Sequence, residues 1–373
     1  MKTLVIILSE TRAHELTYEN IKKNLIDELN ADLCVCIGIK KDYDYNNPFY
    51  KLAKHRFTFE EPDEFYKAFD DAYDEIKSNN KYEICQNTNS IYAKLENPES
   101  STDNIKYLGE YKDINDFDFT QHDFEEIVYH DNNFPNDLWK NKLYGVVKSM
   151  KININQKNVI TYKKPLPWRE FLKIKDQFLG GVGHPGSAGY LIYYRWFLLK
   201  NLIEKDLIKE YDRFVITRSD YIFQLPHPKL ELLNEKNIWI PDSEQYHGYT
   251  DRHVVLNREH VGKYLDLLNC FVIKSHDYFN KMIPNTIWNL EQVIKFHLTE
   301  HKIVDKVKEY PYVMYTVRPI DGKTKWSAGY YSPDHGYFIK YRTEFDKSSW
   351  YLKLFKESKF LNIDDFYKSI IKL

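Results

Sequence analysis

A charged triplet, Arg218-Ser219-Asp220, follows a short apolar run and has the residue types to hold an anion or a metal ion. Residues 213–218 are mostly apolar and strand-prone, which is typical of a buried strand. Ligands bind at the C-terminal edge of the strands in open α/β sheets. A carboxylate at that edge holds a divalent cation or caps a turn, and the sequence leaves both uses of Asp220 open.

A second polar group follows the first apolar run of the chain, Leu4 to Leu8. It contains Ser9, Thr11 and Arg12. If this run is also a parallel strand, these side chains lie where a nucleotide base or phosphate would bind. The alternative for Arg12 is an ordinary surface arginine.

The segment from His247 to Arg252 is polar and leads directly into another apolar run. Gly248 would let the backbone turn close to a ligand. Asp251 could bind hydroxyl groups or accept a proton, and Arg252 could bind a phosphate. The alternative is that Asp251 and Arg252 form an internal ion pair.

Two further candidates precede or begin helices. His184 lies in the glycine-dense stretch 180–189, which is a ligand-contacting loop or a flexible connector and lacks the Gly-Lys-Ser/Thr of a Walker A loop. Glu291 is a second candidate base, although an acid in the first turn of a helix is also favoured by the helix dipole. The sequence does not rank Glu291 against Asp251.

The elements that position these residues begin with a β-α-β unit. Strands are predicted over 4–8 and 33–39, with a helix capped by Thr17 between them. This opening implies a right-handed crossover and a parallel sheet with the first strand near its centre. Further helices are predicted over 65–76, 137–150, 190–205, 257–269, 285–299 and 364–373, and further strands over 238–242, 303–307 and 310–318. A GxGxxG fingerprint is absent after the first strand.

Composition bounds the class of protein. The chain has 373 residues, 43% of them hydrophobic and 16% aromatic, so a sizeable core is expected rather than disorder. The net charge of -2 disfavours a nucleic-acid binder that works through a basic face. The four cysteines have no CxxC spacing and are expected to be reduced and buried. Without a signal peptide or a long apolar run, the sequence predicts a soluble, cytoplasmic protein.

Taken in order, three pieces resemble a loose group of GT-A-like glycosyltransferases from bacterial polysaccharide clusters, algae, fungi and large DNA viruses. They are the β-α opening with Ser9-x-Thr11-Arg12, the segment YDRFVITRSDYIF, and the segment IWIPDSEQYHGYTDRHVVLNREHVGKYLDLL. An Asn/Glu helix, here Asn289-Leu290-Glu291, follows in that group as well. The resemblance covers about residues 1–40 and 190–310, and it is most specific in the middle block.

The resemblance implies a single GT-A-like domain over 1–373, with a mostly parallel sheet flanked by helices. Residues 41–180 would be an insertion and 311–373 a C-terminal extension. It also implies a transferase that moves a sugar from a UDP-, GDP- or TDP-sugar to a glycan or another hydroxyl acceptor, lipid-linked or protein-linked. If the chain is viral, the compartment would be the host cytoplasm. Whether it forms a homodimer stays open.

In that group an acidic motif holds Mn²⁺ or Mg²⁺ against the sugar-nucleotide diphosphate, and Asp220 matches its last acidic position. Arg218 stands where the first acid is usual, so the chain departs from the Asp-x-Asp pair. A single carboxylate is a poor site for a hard cation, and Arg218 could instead contact the diphosphate directly.

The remaining roles follow from what glycosyl transfer needs. The expected nucleotide and diphosphate ligands are Ser9, Thr11, Arg12, Arg218, Ser219 and Arg252; the expected sugar or acceptor ligands are His184, His247 and Gly248; the expected bases are Asp251 and Glu291. Two alternatives stay open: a nucleotide-sugar or glycan-binding module without catalysis, and a phospho- or sulfotransferase. The absence of a phosphate-cradling signature weakens the latter.

Overall fold

The computed structural model describes residues 1–62, 65–78, 152–154, 160–162, 187–273, 289–321 and 329–371. The chain divides into two compact units. The first unit comprises Met1–Glu61, Phe197–Leu265 and His297–Leu373, and the second comprises Pro62–Trp196 and Asp266–Phe296.

The described strands and helices are named here in chain order. The strands are β1 (Thr3–Leu8), β2 (Asp32–Ile39), β3 (His55–Glu60), β4 (Ile152–Ile154), β5 (Ile160–Tyr162), β6 (Arg213–Thr217), β7 (Tyr221–Phe223), β8 (Ile238–Pro241), β9 (Val254–Asn257), β10 (Val307–Tyr310), β11 (Met314–Arg318), β12 (Tyr330–Ser332) and β13 (Tyr337–Ile339). The helices are α1 (His14–Ile21), α2 (Pro48–Leu52), α3 (Phe65–Ser78), α4 (Ser187–Glu204), α5 (Leu207–Glu210), α6 (Arg258–Leu265), α7 (Leu267–Ile273), α8 (Leu290–Glu300), α9 (Arg342–Glu357) and α10 (Ile363–Ile370).

The first unit is built on a seven-stranded sheet in the order β10-β8-β9-β6-β1-β2-β3. Strands β3, β2, β1 and β6 are mutually parallel neighbours, and β9 is the antiparallel strand between β6 and β8. Every residue of β1 is buried, as expected for an inner strand of a sheet covered by helices. The mixed α/β architecture and the parallel β-α-β opening are therefore confirmed, and they are consistent with a Rossmann-like fold.

A smaller antiparallel sheet of the first unit has the order β12-β13-β11-β7. Strand β7 follows the charged triplet directly, and Thr316 of β11 pairs with Tyr221 of β7. The Val317 amide donates to the carbonyl oxygen of Asp220 at 2.9 Å. This pairing brings the end of β11, Arg318, beside Asp220.

The predicted cap of the first helix is wrong. Helix α1 begins at His14, after Ala13 in the left-handed conformation, and a π-helical segment, Lys22–Asp27, continues it. Thr17 lies inside the helix, with its Oγ1 2.9 Å from the carbonyl oxygen of Ala13 and 2.6 Å from that of Ser219. The Thr17 hydroxyl thus contacts the loop that carries Ser219 and does not cap the start of the helix.

Several other boundaries differ from the predictions. The long helix begins at Ser187 rather than at residue 190, and the strand expected at 303–307 instead begins at Val307. The run 310–318 is divided, because Tyr310 ends β10 and β11 begins at Met314. The predicted helix 137–150 lies outside the described residues.

Strand β3 belongs to the main sheet, although it lies within the range 41–180 that was assigned to an insertion. The alternation of exposed and covered residues along β3 fits an edge strand. Strand β3 was not predicted from the sequence, although Phe57 and Phe59 alternate with polar residues, because two apolar side chains in six residues are a weak signal.

Each unit has its own buried apolar residues. In the first unit Val5, Val35, Val215 and Trp239 belong to one continuous core. In the second unit the rings of Phe69 and Tyr193 meet at 5.6 Å. Within the ranges given above, no helix is both long and apolar enough to cross a bilayer.

The cysteines only partly follow the expectation of reduced thiols. Cys34 and Cys36 are free and buried on β2. Cys270, in contrast, is disulfide-bonded. Pairing of distant cysteines depends on the tertiary fold, so their spacing could not show it.

Candidate functional site

The charged triplet lies at the carboxyl edge of the main sheet, directly after β6. Asp220 is 1% exposed. Its Oδ1 accepts from Nε of Arg218 at 2.9 Å, and its Oδ2 accepts from Nη2 of Arg218 at 2.7 Å. The Nη1 of Arg318 also donates to Oδ2. Asp220 is thus the shared counter-ion of two arginines.

These contacts determine the ionisation of Asp220. Burial alone would raise the pKa of Asp220, because a charged carboxylate is poorly solvated in the interior. The positive charges of Arg218 and Arg318 overcome this effect and hold the pKa of Asp220 well below its usual range. The carboxylate is therefore ionised at neutral pH.

Arg318 is the most unusual basic residue of this region. Its side chain is 2% exposed, and burial lowers its pKa. Nη1 donates to Asp220 and to the carbonyl oxygen of Val317, but Nε and Nη2 have no hydrogen-bond partner among the residues that the structure describes. Buried donors without partners are rare in proteins and costly in free energy. A bound anion would satisfy them.

Arg12 reaches the same edge from the loop after β1. Its side chain is 36% exposed and pairs with Glu10 at 2.6 Å. Ser219 fixes this loop, because its Oγ lies 2.9 Å from the carbonyl oxygens of both Glu10 and Arg12. The charge of Arg12 lowers the pKa values of Asp220 and Arg318, so it acts on the same site.

The loop that carries Arg12 has a strained backbone. Ser9 has a φ of 86° and Ala13 a φ of 57°, in the left-handed region that non-glycine residues seldom occupy. Such conformations cost roughly 1–3 kcal/mol each and persist where the surrounding structure enforces them. Their concentration here supports a functional role for the carboxyl edge.

Lys340 adds a fourth positive group just after β13. Burial, followed by the charges of Arg318 and Arg218, lowers the pKa of Lys340 to about 7. Its Nζ lies 5.3 Å from the centre of the Tyr341 ring. Arg12, Arg218, Arg318 and Lys340 are called the cationic cluster below. Burial is the main cause of this low pKa, and the charges of Arg318 and Arg218 add to it, so these guanidinium groups lie near Lys340.

The residues of this edge do not fit the Mn²⁺ or Mg²⁺ that the family resemblance implies. Both oxygens of Asp220 are already bound by guanidinium groups, and two positive charges stand beside them. Within the described part of the chain, no group of three metal-ligating side chains includes Asp220. A hard divalent cation needs several oxygen ligands and an electronegative site.

Histidines elsewhere do not supply a metal site within one unit. The rings of His297 and His301 of the first unit meet edge to face, with ring centres 4.4 Å apart. The Nε2 of His297 lies 2.6 Å from the carbonyl oxygen of Lys263, so that nitrogen serves as a donor. Cys270 belongs to the second unit, and its sulfur is in a disulfide. Two imidazoles alone do not make a zinc site.

Arg252 is placed differently from Arg218. Its side chain is 3% exposed, and Nη1 donates to Oε1 of Glu344, which is fully buried on α9. Glu344 also accepts from the Tyr312 hydroxyl at 2.9 Å and from the Thr316 amide at 2.7 Å. The geometry thus gives Arg252 an internal ion pair, with Glu344 rather than Asp251 as the principal partner.

Asp251 stands beside this pair. Its side chain is 10% exposed, and its Oδ1 lies 3.7 Å from Nε of Arg252. A carboxylate in this position is a candidate to accept a proton.

The loop before Asp251 is also strained, but not at its glycine. The positive φ angles lie at Glu244, Tyr246 and His247, with values of 58°, 43° and 67°. Gly248 is buried and its amide donates to the carbonyl oxygen of Gln245 at 2.7 Å. The expected turn thus occurs one residue earlier than the sequence suggested, at the exposed His247.

Three further expected site residues are Thr11, Glu291 and His184. Thr11 is buried, with its Oγ1 3.1 Å from the Tyr43 hydroxyl and 3.0 Å from Nδ2 of Asn47. Glu291 is in the first turn of α8, in the second unit. His184 lies outside the described residues.

Sequence reasoning missed Arg318, Lys340 and Glu344. Arg318 was noted only as the end of an apolar strand, and Lys340 and Glu344 fall in a segment read as a C-terminal extension. The usable signal was a basic residue closing a buried strand, as in β6. Nothing in the sequence showed that β11 pairs beside β7.

Comparisons with family models, curated proteins and solved structures found no match to this chain.

Proposed function

We propose that the chain is a glycosyltransferase that moves a sugar from a nucleotide-diphosphate sugar to a hydroxyl acceptor. The observation that carries the proposal is the cationic cluster at the carboxyl edge of β1 and β6, where α/β sheets bind their ligands. A leaving diphosphate is the group that such a cluster would stabilise, because negative charge develops on it as the sugar–oxygen bond breaks.

The chemistry assigns one role to each part of the site. The bond between the anomeric carbon and the diphosphate oxygen breaks, and its electron pair leaves with the diphosphate. The acceptor oxygen forms the new bond to that carbon and loses its proton to Asp251. Arg12 and Arg218, which are partly exposed, would contact the diphosphate. Arg318 would donate to it through Nε and Nη2, which have no partner among the described residues.

Mutation of the proposed base tests catalysis separately from binding. We expect Asp251→Asn to lower the rate of sugar transfer by about 10²- to 10⁴-fold, the usual contribution of a general base. Donor affinity should change little, because the diphosphate contacts stay in place. The measurement is product formation from a panel of nucleotide sugars and hydroxyl acceptors, with Asp334→Asn as an exposed control.

The same panel separates transfer from simple binding. A donor that raises the thermal midpoint without hydrolysis or transfer would indicate a binding module without catalysis. Full activity of Asp251→Asn would refute the assignment of the base. If the protein neither binds nor turns over any nucleotide sugar, the proposed function is refuted.

A further inference from the structure

We infer that the cationic cluster binds a diphosphate directly, without a divalent metal, and that Asp220 orients the arginines rather than ligating a cation. This inference rests on the proposed function for the identity of the donor. It does not need sugar transfer to occur, since a diphosphate group alone is the ligand.

Arg218 and Asp220 make a bidentate contact. Nε and Nη2 of Arg218 donate to the carboxylate at 2.9 and 2.7 Å, in a fixed planar arrangement. The described residues take no hydrogen bond from Nη1 of Arg218. The side chain is 22% exposed, so Nη1 is the edge that a ligand reaches from solvent.

Asp220 cannot pair with two arginines and ligate a metal ion at the same time. A divalent cation at Asp220 would lie against Arg218 and Arg318, which both donate to that carboxylate. Like charges at such separations repel strongly in a buried site. The guanidinium groups therefore replace the metal as the positive charges of the site.

The cationic cluster contains hydrogen-bond donors that have no partner among the described residues. Nε and Nη2 of Arg318 have no partners among the described residues, and Lys340 has a partly covered ammonium group. A diphosphate has many acceptor oxygens and at least two negative charges. It would satisfy donors that protein groups leave unpaired, and it would offset the excess positive charge.

The experiment uses inorganic pyrophosphate as the probe and the full chain as the protein. Titration calorimetry is run in excess EDTA and again with equimolar Mn²⁺. We expect binding in EDTA that weakens with added salt and is not improved by Mn²⁺. Binding that requires Mn²⁺ would overturn the inference.

Variants locate the site. Arg218→Gln and Lys340→Gln should each weaken pyrophosphate binding by about tenfold or more, because each removes a charge-assisted contact. The control is Arg258→Gln, an exposed arginine that pairs with Asp212 at the opposite edge of the sheet. Unchanged affinity in Arg218→Gln and Lys340→Gln would overturn the inference.

Asp220→Asn distinguishes the two roles of the carboxylate by the condition in which it acts. Loss of a metal ligand would lower pyrophosphate affinity only with Mn²⁺ present, whereas loss of the group that orients Arg218 and Arg318 changes the affinity in EDTA to the same extent. If this variant does not fold, the wild-type comparison of EDTA with Mn²⁺ still decides. Pyrophosphate binding in EDTA without any sugar transfer would refute the proposed function and leave the inference standing.

Discussion

At the scale of single residues, two buried carboxylates, Asp220 and Glu344, pair with arginines in different surroundings. Asp220 faces two arginines at an edge where Arg218 is partly exposed. Glu344 faces Arg252 in a fully covered position with two further donors, Tyr312 and Thr316. Arg218 follows the end of one strand and Arg252 precedes the start of another, so the two look alike in the sequence. They differ in burial, because Arg218 is partly exposed and Arg252 is buried.

Removal of the charge of Glu344 should destabilise the first unit. Glu344→Gln leaves the buried Arg252 without its principal partner, and we expect the free energy of unfolding to fall by about 3 kcal/mol. Urea denaturation measures the change. The matched control on the same helix is Asp346→Asn, whose exposed pair with Arg342 contributes at most about 0.5 kcal/mol. Equal effects of the two changes would contradict the assignment of a buried ion pair.

At the scale of elements, loops at the carboxyl edge are held by side chains from neighbouring helices. Asn47 caps α2 by accepting from the Phe49 amide at 3.0 Å. Its Nδ2 also lies 3.2 Å from the Thr11 carbonyl oxygen and 3.0 Å from the Thr11 hydroxyl. One amide side chain thus joins α2 to the strained loop that carries Arg12.

Asn47→Ala should therefore act on both the helix and the loop. We expect a loss of about 1–2 kcal/mol in the free energy of unfolding, because a cap and a buried tie are removed together. Denaturant unfolding measures it, and proteolysis within 9–13 should become faster. Asn46→Ala is the control, since Asn46 is exposed and only its backbone amide donates to Asp44. A neutral Asn47→Ala would show that the tie does not hold the loop.

Elements were predictable where the local pattern was strong. The apolar runs of β1, β2 and β6 were predicted from their patterns. Strand β3 and the start of α1 were not, because β3 has only two apolar residues to mark it and tertiary contacts overrode the local signal at α1. Threonine is a common helix-capping residue, but Thr17 lies inside the helix, where its hydroxyl contacts the Ser219 carbonyl oxygen.

At the scale of the whole molecule, a buried chain of polar groups links the main sheet to the loop after β7. Nδ1 of His253 lies 2.9 Å from the Thr217 hydroxyl, and its Nε2 lies 3.3 Å from Nε2 of His227. The Tyr310 hydroxyl lies 3.3 Å from the same atom of His227. Burial lowers the pKa of His227 to about 4 and that of His253 well below its usual value.

This chain should make the fold sensitive to mild acid. In the unfolded state both histidines accept protons below pH of about 6.5, but in the folded state His227 does not until pH of about 4. The unfolded state then binds more protons, so stability is full above pH 6.5 and falls as the pH decreases. For His227 alone, the loss between pH 6.5 and 4.5 is about 2 kcal/mol.

Urea unfolding at a series of pH values checks this expectation. A variant with His227→Gln and His253→Gln removes both titrating groups and should have a flatter profile over the same range. A wild-type profile that is flat between pH 6.5 and 4.5 would show that the two histidines titrate normally in the folded protein.

The sequence by itself determined the local features: the β-α-β opening, the inner strands, and the charged triplet at the end of β6. These depend on side chains a few residues apart, so a single stretch contains the needed information. The tertiary structure alone decided what each charge faces. Arg318 comes beside Asp220 because β11 pairs with β7, almost a hundred positions along the chain, and Glu344 reaches Arg252 from α9. Burial and pairing of charges are properties of the assembled sheet, and they turned an expected metal ligand into a counter-ion.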